Sequence, residues 1–166
     1  MPDYYQRIKE QYTNSRGDSM ELFKEILLAS SQIGMDEALA YLGQCVIEKR
    51  SAWLKANREG VMDENDPVTE GYRWFYEKYL GVAASEDGEI VEHTPKRIVM
   101  RWWNHCPTLE ACNKLGLDTR EVCKKAYEKP VQEFLKQIDP RLRFNRNYVN
   151  IRPHAAYCEE IIELED

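Results

Sequence analysis

Apolar side chains recur every three or four residues through the first half of the chain, a spacing that predicts helices. A capping box at residues 18–21 precedes the first of them, whose apolar positions are Leu22, Ile26, Ala29 and Ile33. A longer helix is predicted over residues 36–58 with a stop near Gly60, and a further one begins at Asp66-Pro67 and ends at Gly81. Residues 1–85 should therefore be mainly helical.

The second half of the chain alternates between strand and helix patterns. Residues 89–93 and 97–103 predict a β-hairpin, residues 107–115 and 119–138 two helices, and residues 142–151 and 157–164 two further strands. Pro130 should kink the second helix because it has no N–H to donate to the carbonyl of Ala126. The expected fold is α+β in a single domain over residues 1–166, with N-terminal helices packed on an antiparallel sheet of about four strands and a second helix pair.

Composition indicates an ordinary globular chain, with 43% hydrophobic and 31% charged residues among 166. No secretory signal and no apolar run near 18 residues occur, so a cytoplasmic protein without a membrane partner is expected. The five cysteines form no C-x-x-C pair, and they should be free thiols.

Charge is distributed unevenly within the net value of −6. Residues 96–152 carry 13 basic against 6 acidic side chains, an excess that indicates either an anion-binding face or an ordinary solvated surface. Nucleic acid is not an expected partner, because the basic residues form no recognisable motif and the remainder of the chain is acidic. A homodimer through the aromatic-rich helices is left open.

Cys106 has the most informative context of the five cysteines. It directly precedes Pro107, which is favoured at the first position of a helix, so Cys106 should be the N-cap. The helix N-terminus would lower the pKa of its thiol, and the neighbouring His105 could assist. The alternative is that Cys106 is a small buried apolar residue at the end of a strand. For Cys123, on the apolar face of its predicted helix, core packing is the default.

Alternation along the last strand places Cys158 and Glu160 on the same face as Ile162 and Leu164. An inward Glu160 would need a partner, whereas on an edge strand it would lie in solvent. Arg146 shares a face with core residues in the preceding strand, so it should meet either Glu160 or the carboxylate of a ligand. His154 is a candidate proton shuttle or an exposed loop histidine.

Five short segments together resemble a known family: Trp103-Asn104-His105-Cys106-Pro107, Gly116-Leu117, Glu121-Val122-Cys123-Lys124, Ile138-Asp139-Pro140 and Tyr157-Cys158-Glu159-Glu160. Over about residues 97–164 the chain is similar to the family typified by L-2-amino-thiazoline-4-carboxylic acid hydrolase and its bacterial relatives. The resemblance implies a hydrolase acting on a small cyclic C–N substrate that bears a carboxylate. It matches Cys106, Cys123 and Cys158 to the recurring cysteines of that family.

Three functional hypotheses follow for this half of the chain. In the first, a small-molecule hydrolase uses Cys106 as nucleophile, His105, Glu160 or His154 for proton transfer, and Arg146 as carboxylate anchor. In the second, a non-catalytic module binds a small molecule in an aromatic pocket lined by Trp102, Trp103, Phe144 and Tyr148. In the third, Cys106, Cys123, Cys158 and one histidine bind a metal ion. No organic cofactor is expected, and the ligand should be anionic.

Overall fold

The N-terminal part of the chain is a cluster of three helices. The computed structural model describes residues 3–15, 20–58 and 63–166, and these helices are α1 (Tyr4–Asn14), α2 (Met20–Ile33) and α3 (Met35–Asn57). Helices α2 and α3 agree with prediction, whereas α1 was not predicted; the proposed starts and stops at Asp18, Ser19 and Gly60 lie outside the described residues. No helix in the described ranges is both long and apolar enough to cross a membrane.

The helix expected after Asp66-Pro67 is present but changes its winding. Helix α4 (Pro67–Tyr72) starts where the Asp66 side chain accepts a hydrogen bond from the backbone N–H of Thr69, at 3.3 Å. It continues as a π-helical segment, π1 (Arg73–Leu80), and ends at Gly81, whose positive φ of 70° favours glycine. A short helix, α5 (Ala84–Asp87), leads into the sheet.

Four antiparallel strands form one sheet in the order β1-β2-β4-β3, which confirms the α+β prediction. They are β1 (Gly88–Thr94), β2 (Arg97–Trp102), β3 (Leu142–Arg146) and β4 (Cys158–Leu164). Helices α4 and α8 (Glu128–Ile138) pack on one face of this sheet, against Ile98, Met100, Leu142, Phe144 and Ile162. The other face carries the charged side chains that alternate with them, including Arg101 and Glu159.

The predicted C-terminal helix pair is present, with an interruption in its second member. Helix α6 (Pro107–Leu115) is followed by α7 (Thr119–Val122), a π-helical segment π2 (Cys123–Tyr127) and then α8. The break lies just before Pro130, as its missing N–H requires. Helix α3 crosses π2 closely, since a Cβ on Gly43 would lie 3.2 Å from the carbonyl oxygen of Ala126.

The prediction of a strand over residues 142–151 is wrong beyond Arg146. Asn147 ends the strand because its side-chain oxygen accepts hydrogen bonds from the backbone N–H groups of Val149 and Asn150, at 2.9 and 3.0 Å. Such a turn competes with strand pairing. Tyr148 therefore does not share a strand face with Phe144, and the last strand begins at Cys158.

Two apolar clusters meet along helix α3. One joins α1, α2, α6 and π2 and includes Val46, and the other joins π1, α8 and the sheet and includes Leu54. Arg50 lies one turn from each of these two α3 residues, so it projects where the clusters meet. This junction is the position of the site described below.

A substitution at Gly88 should test how tightly the end of β2 is held. Gly88 pairs with Trp102, and an added Cβ would lie 2.2 Å from the carbonyl oxygen of Arg101 and 2.9 Å from Cε3 of Trp102. We expect Gly88→Ala to lower the free energy of unfolding in urea by about 1–3 kcal/mol, because the backbone must shift. Glu89→Ala, at an exposed neighbouring position, should change it by less than about 0.5 kcal/mol. Equal effects of the two variants would contradict this account.

Candidate functional site

A cavity of about 360 Å³ lies where the two apolar clusters meet. Both π-helical segments contribute to its wall, π1 through Phe75 and Tyr76 and π2 through Cys123 and Tyr127. The end of β2, the start of β4 and the connection at residues 151–152 form the opposite wall. Its volume is in the range of small-molecule sites, and π-helical turns are frequent at such sites.

Most of the residues singled out from the sequence share this cavity. Cys106, Cys123, Cys158, Arg146, Glu160, His105 and Trp102 all line it. The other four candidates lie elsewhere: Phe144 is buried in the apolar cluster that includes the sheet, Trp103 is 48% exposed, His154 approaches Asp118 at 3.5 Å, and the Tyr148 hydroxyl donates to Glu128. The proposed roles of His154, Trp103, Phe144 and Tyr148 at this site therefore have no support in their positions.

Cys106 is the N-cap of α6, with extended backbone dihedrals, as its position before Pro107 predicts. The expected sign of its pKa shift is wrong, however. Burial raises the pKa of the Cys106 thiol and outweighs the backbone N–H groups of Leu109 and Thr108 and the Arg152 guanidinium, which act in the opposite direction. The helix N-terminus therefore does not give the Cys106 thiol a lowered pKa.

Cys123 lines the cavity, but its thiol is largely shielded from solvent. Burial raises the pKa of its thiol to about 12, although the positive charge of Arg146 opposes the shift. Cys112, which does not line the cavity, is fully buried in the helical cluster and also has a pKa raised to about 12 by burial. Both thiols are protonated at neutral pH.

Cys158 differs from the other cavity cysteines because a guanidinium contacts its sulfur. Arg152 Nε donates to Cys158 Sγ at 3.3 Å. The rest of the Arg152 side chain is fixed by Asn104, whose backbone oxygen accepts from Nη1 at 2.6 Å and whose side-chain oxygen accepts from Nη2 at 3.4 Å. A cation held in this way stabilises negative charge on sulfur.

Glu160 and Arg146 form a buried ion pair across two paired strands. Arg146 of β3 is directly opposite Glu160 of β4, and its Nε lies 3.5 Å from Glu160 Oε2. The other carboxylate oxygen accepts a hydrogen bond of 2.7 Å from the Tyr76 hydroxyl, and Arg146 Nη1 donates to the Cys123 carbonyl at 3.1 Å. Of the two alternatives for Arg146, these contacts favour the structural Arg–Glu pair.

Electrostatics reinforce this three-residue cluster. Burial, followed by the charge of Glu160, raises the pKa of Tyr76 well above its ordinary value. Burial alone would lower the pKa of Arg146, but attraction to Glu160 outweighs it and raises the pKa. Arg146 therefore stays charged, and Glu160 neutralises it.

Two cavity arginines were missed from the sequence, Arg50 and Arg152. Arg50 could have been found, because its spacing of four residues from both Val46 and Leu54 places it in a buried helix stripe, where an arginine is unusual. Arg152 gave no comparable signal, since it lies in a turn. With Arg146, they give the cavity three guanidinium groups, while Glu160 is the one carboxylate among its described residues.

The metal hypothesis finds no support in the arrangement of ligands. Within the described ranges, no group of three or more His, Cys, Asp or Glu side chains is placed to hold a metal ion. Cys106, Cys123 and Cys158 line the same cavity but do not converge as a ligand set.

Comparison of the chain with family models, with curated proteins and with solved structures found no match. The resemblance to the amino-thiazoline carboxylate hydrolase family thus stays a prediction from the sequence, and the geometry of the cavity carries the functional argument.

Proposed function

We propose that the cavity binds a small anionic molecule and that the protein acts on it as a thiol-dependent hydrolase. One observation carries the proposal: three thiols and three guanidinium groups, brought from distant parts of the chain, surround a single cavity of about 360 Å³. Excess positive charge in a partly desolvated cavity favours an anionic ligand. Thiols beside such a ligand can act as nucleophiles.

Cys158 is the proposed nucleophile in place of Cys106. Arg152 donates to the Cys158 sulfur, whereas burial raises the pKa of both Cys106 and Cys123. The thiolate is the attacking form of a cysteine, so the sulfur beside a fixed cation is favoured.

The proposed reaction is hydrolysis of a C–N bond. The Cys158 thiolate adds to the acyl carbon of an amide-type C–N bond, the bonding electron pair leaves with the nitrogen, and the nitrogen takes a proton from a neighbouring acid. Water then hydrolyses the resulting thioester and restores the thiol. We assign the proton transfer to His105, because it lines the cavity whereas Glu160 is held by Tyr76 and Arg146.

Alkylation rates test this proposal. At neutral pH, iodoacetamide should modify Cys158 at least about ten times faster than Cys106 or Cys123. Mass spectrometry of the digested peptides measures the three rates. Arg152→Gln should slow the reaction of Cys158 about tenfold, because it removes the charge-assisted hydrogen bond to sulfur. Lys129→Gln removes an exposed positive charge from α8 and should leave the rate unchanged.

Binding without catalysis is the second candidate, and the raised pKa values of Cys106 and Cys123 favour it. It predicts that all the cavity thiols react as slowly as the fully buried Cys112. Uniformly slow alkylation would therefore refute a thiol nucleophile and leave a binding module.

A further inference from the structure

Two nitrogens of the Arg50 guanidinium group are buried, and no carboxylate in the described part of the chain forms an ion pair with it. It lies over three aromatic rings, with ring centroids at 5.1 Å (Phe75), 5.5 Å (Tyr79) and 5.9 Å (Tyr127). Its Nε and Nη1 atoms are buried and have no hydrogen-bond partner among the residues that the structure describes. Ring faces attract a cation, but they do not replace the hydrogen bonds that a guanidinium makes in water.

The other two cavity arginines are already engaged. Arg146 pairs with Glu160 and donates to the Cys123 carbonyl, and Arg152 bonds Cys158 and Asn104 through all three of its nitrogens. Arg50 is thus the cavity arginine that has two nitrogens, Nε and Nη1, without a hydrogen-bond partner in the described ranges.

Trp102 supplies a second unpaired donor in the same cavity. Its side chain is 3% exposed, and its indole Nε1 has no hydrogen-bond partner within the described part of the chain. The ring stacks on Tyr76, with ring centroids 4.9 Å apart, and on Tyr72, with centroids 6.4 Å apart. A buried donor without a partner is costly unless a ligand or water accepts from it. The unpaired donors of Arg50 and Trp102 therefore favour a ligand that carries hydrogen-bond acceptors.

We infer that Arg50 binds the anionic group of the ligand, with the Trp102 indole N–H as a second donor, and that the ligand is a compact monocarboxylic acid. This inference rests on the proposed binding of a small anionic molecule. One uncommitted guanidinium matches one carboxylate, which it can bind through two parallel hydrogen bonds. The remaining wall includes Phe75, Val82, Val131 and Ile151, which suit an apolar body.

Calorimetric titration with three simple probes tests this assignment. Benzoate carries one negative charge, benzamide has the same shape without charge, and phenyl phosphate carries up to two charges. We expect benzoate to bind at least tenfold more tightly than benzamide or phenyl phosphate. Arg50→Gln should weaken benzoate binding about 10- to 100-fold, which is the range for loss of a charge-assisted pair in a desolvated site.

Matched variants separate this role from a structural one. Lys55→Gln removes an exposed charge from the same helix and should not change benzoate affinity. Arg50→Lys keeps the charge without the planar fork and should give an intermediate affinity. Trp102→Phe retains a stacked ring and should weaken benzoate binding about 3- to 10-fold, so it tests the site even where Arg50→Gln fails to fold.

Equal benzoate affinity in the wild type and Arg50→Gln would overturn the inference, as would phenyl phosphate binding as tightly as benzoate. If benzoate does not bind but Cys158 is alkylated rapidly, the inference is overturned while the hydrolase proposal remains intact. Conversely, if benzoate binding depends on Arg50 but all the cavity thiols are alkylated slowly, the inference is supported and the proposal of a cysteine nucleophile is refuted.

Discussion

Glu160→Ala is expected to lower the free energy of unfolding by about 3–5 kcal/mol, because it leaves a buried guanidinium without its counter-charge. The Arg146 and Glu160 side chains are only 9% and 12% exposed, and Arg146 Nε lies 3.5 Å from Glu160 Oε2. The same substitution removes the acceptor of the Tyr76 hydroxyl, which bonds Glu160 at 2.7 Å. Two buried groups thus lose a partner at once. Urea unfolding at neutral pH measures the effect.

Two controls distinguish the buried pair from the loss of any strand carboxylate. Glu163→Ala, on the opposite face of β4, removes a half-exposed carboxylate that lies 3.6 Å from Arg97 and should cost less than about 1 kcal/mol. The double variant Arg146→Met with Glu160→Leu should be less destabilised than Glu160→Ala, since no charge remains buried. A cost for Glu160→Ala no greater than that for Glu163→Ala would show that the pair does not stabilise the fold.

The parts of the site that follow two-residue periodicity could be predicted from the sequence. Alternation along residues 158–164 places Cys158, Glu160 and Ile162 on one face, and the structure has Ile162 fully buried and Glu160 in the cavity wall. Arg146 was placed on the inner face of its strand by the same rule, and it lies opposite Glu160. Local chain geometry sets these orientations, so a sequence pattern contains them.

Features that depend on tertiary contacts could not be predicted. The π-helical winding at Arg73–Leu80 places Tyr76 in the cavity wall, and no local spacing indicates an inserted residue in that helix. The pKa of Cys106 depends on how completely the fold buries it, which the N-cap position does not reveal. The turn at Asn147 is formed by local hydrogen bonds to its side-chain oxygen, but asparagine also occurs within strands. Its presence in the sequence therefore did not show where strand β3 ends, and the strand was predicted too long.

Between pH 9 and pH 11, the titration of Cys112 and Cys123 alone is expected to lower the free energy of unfolding by about 5 kcal/mol. Burial raises the pKa of the Cys112 and Cys123 thiols from an ordinary value of 9.0 to about 12. Above pH 9 these two cysteines therefore lose their protons in the unfolded chain but keep them in the folded chain. The stabilisation from these protonated thiols is fully present below the unfolded pKa and is lost as pH rises toward 12. Each group contributes about 1.4 kcal/mol per pH unit.

Two variants of the helical cluster test this origin of the alkaline sensitivity. Cys112→Ala should reduce the loss of stability between pH 9 and pH 11 by about 2 kcal/mol, because the contribution of one buried thiol is removed. Val122→Ala removes apolar volume from the same cluster without a titratable group, so it should lower stability equally at every pH. Urea unfolding in the presence of a reducing agent, at half-unit steps of pH, compares them. If Cys112→Ala and Val122→Ala give the same pH dependence, then the buried thiols do not cause the loss.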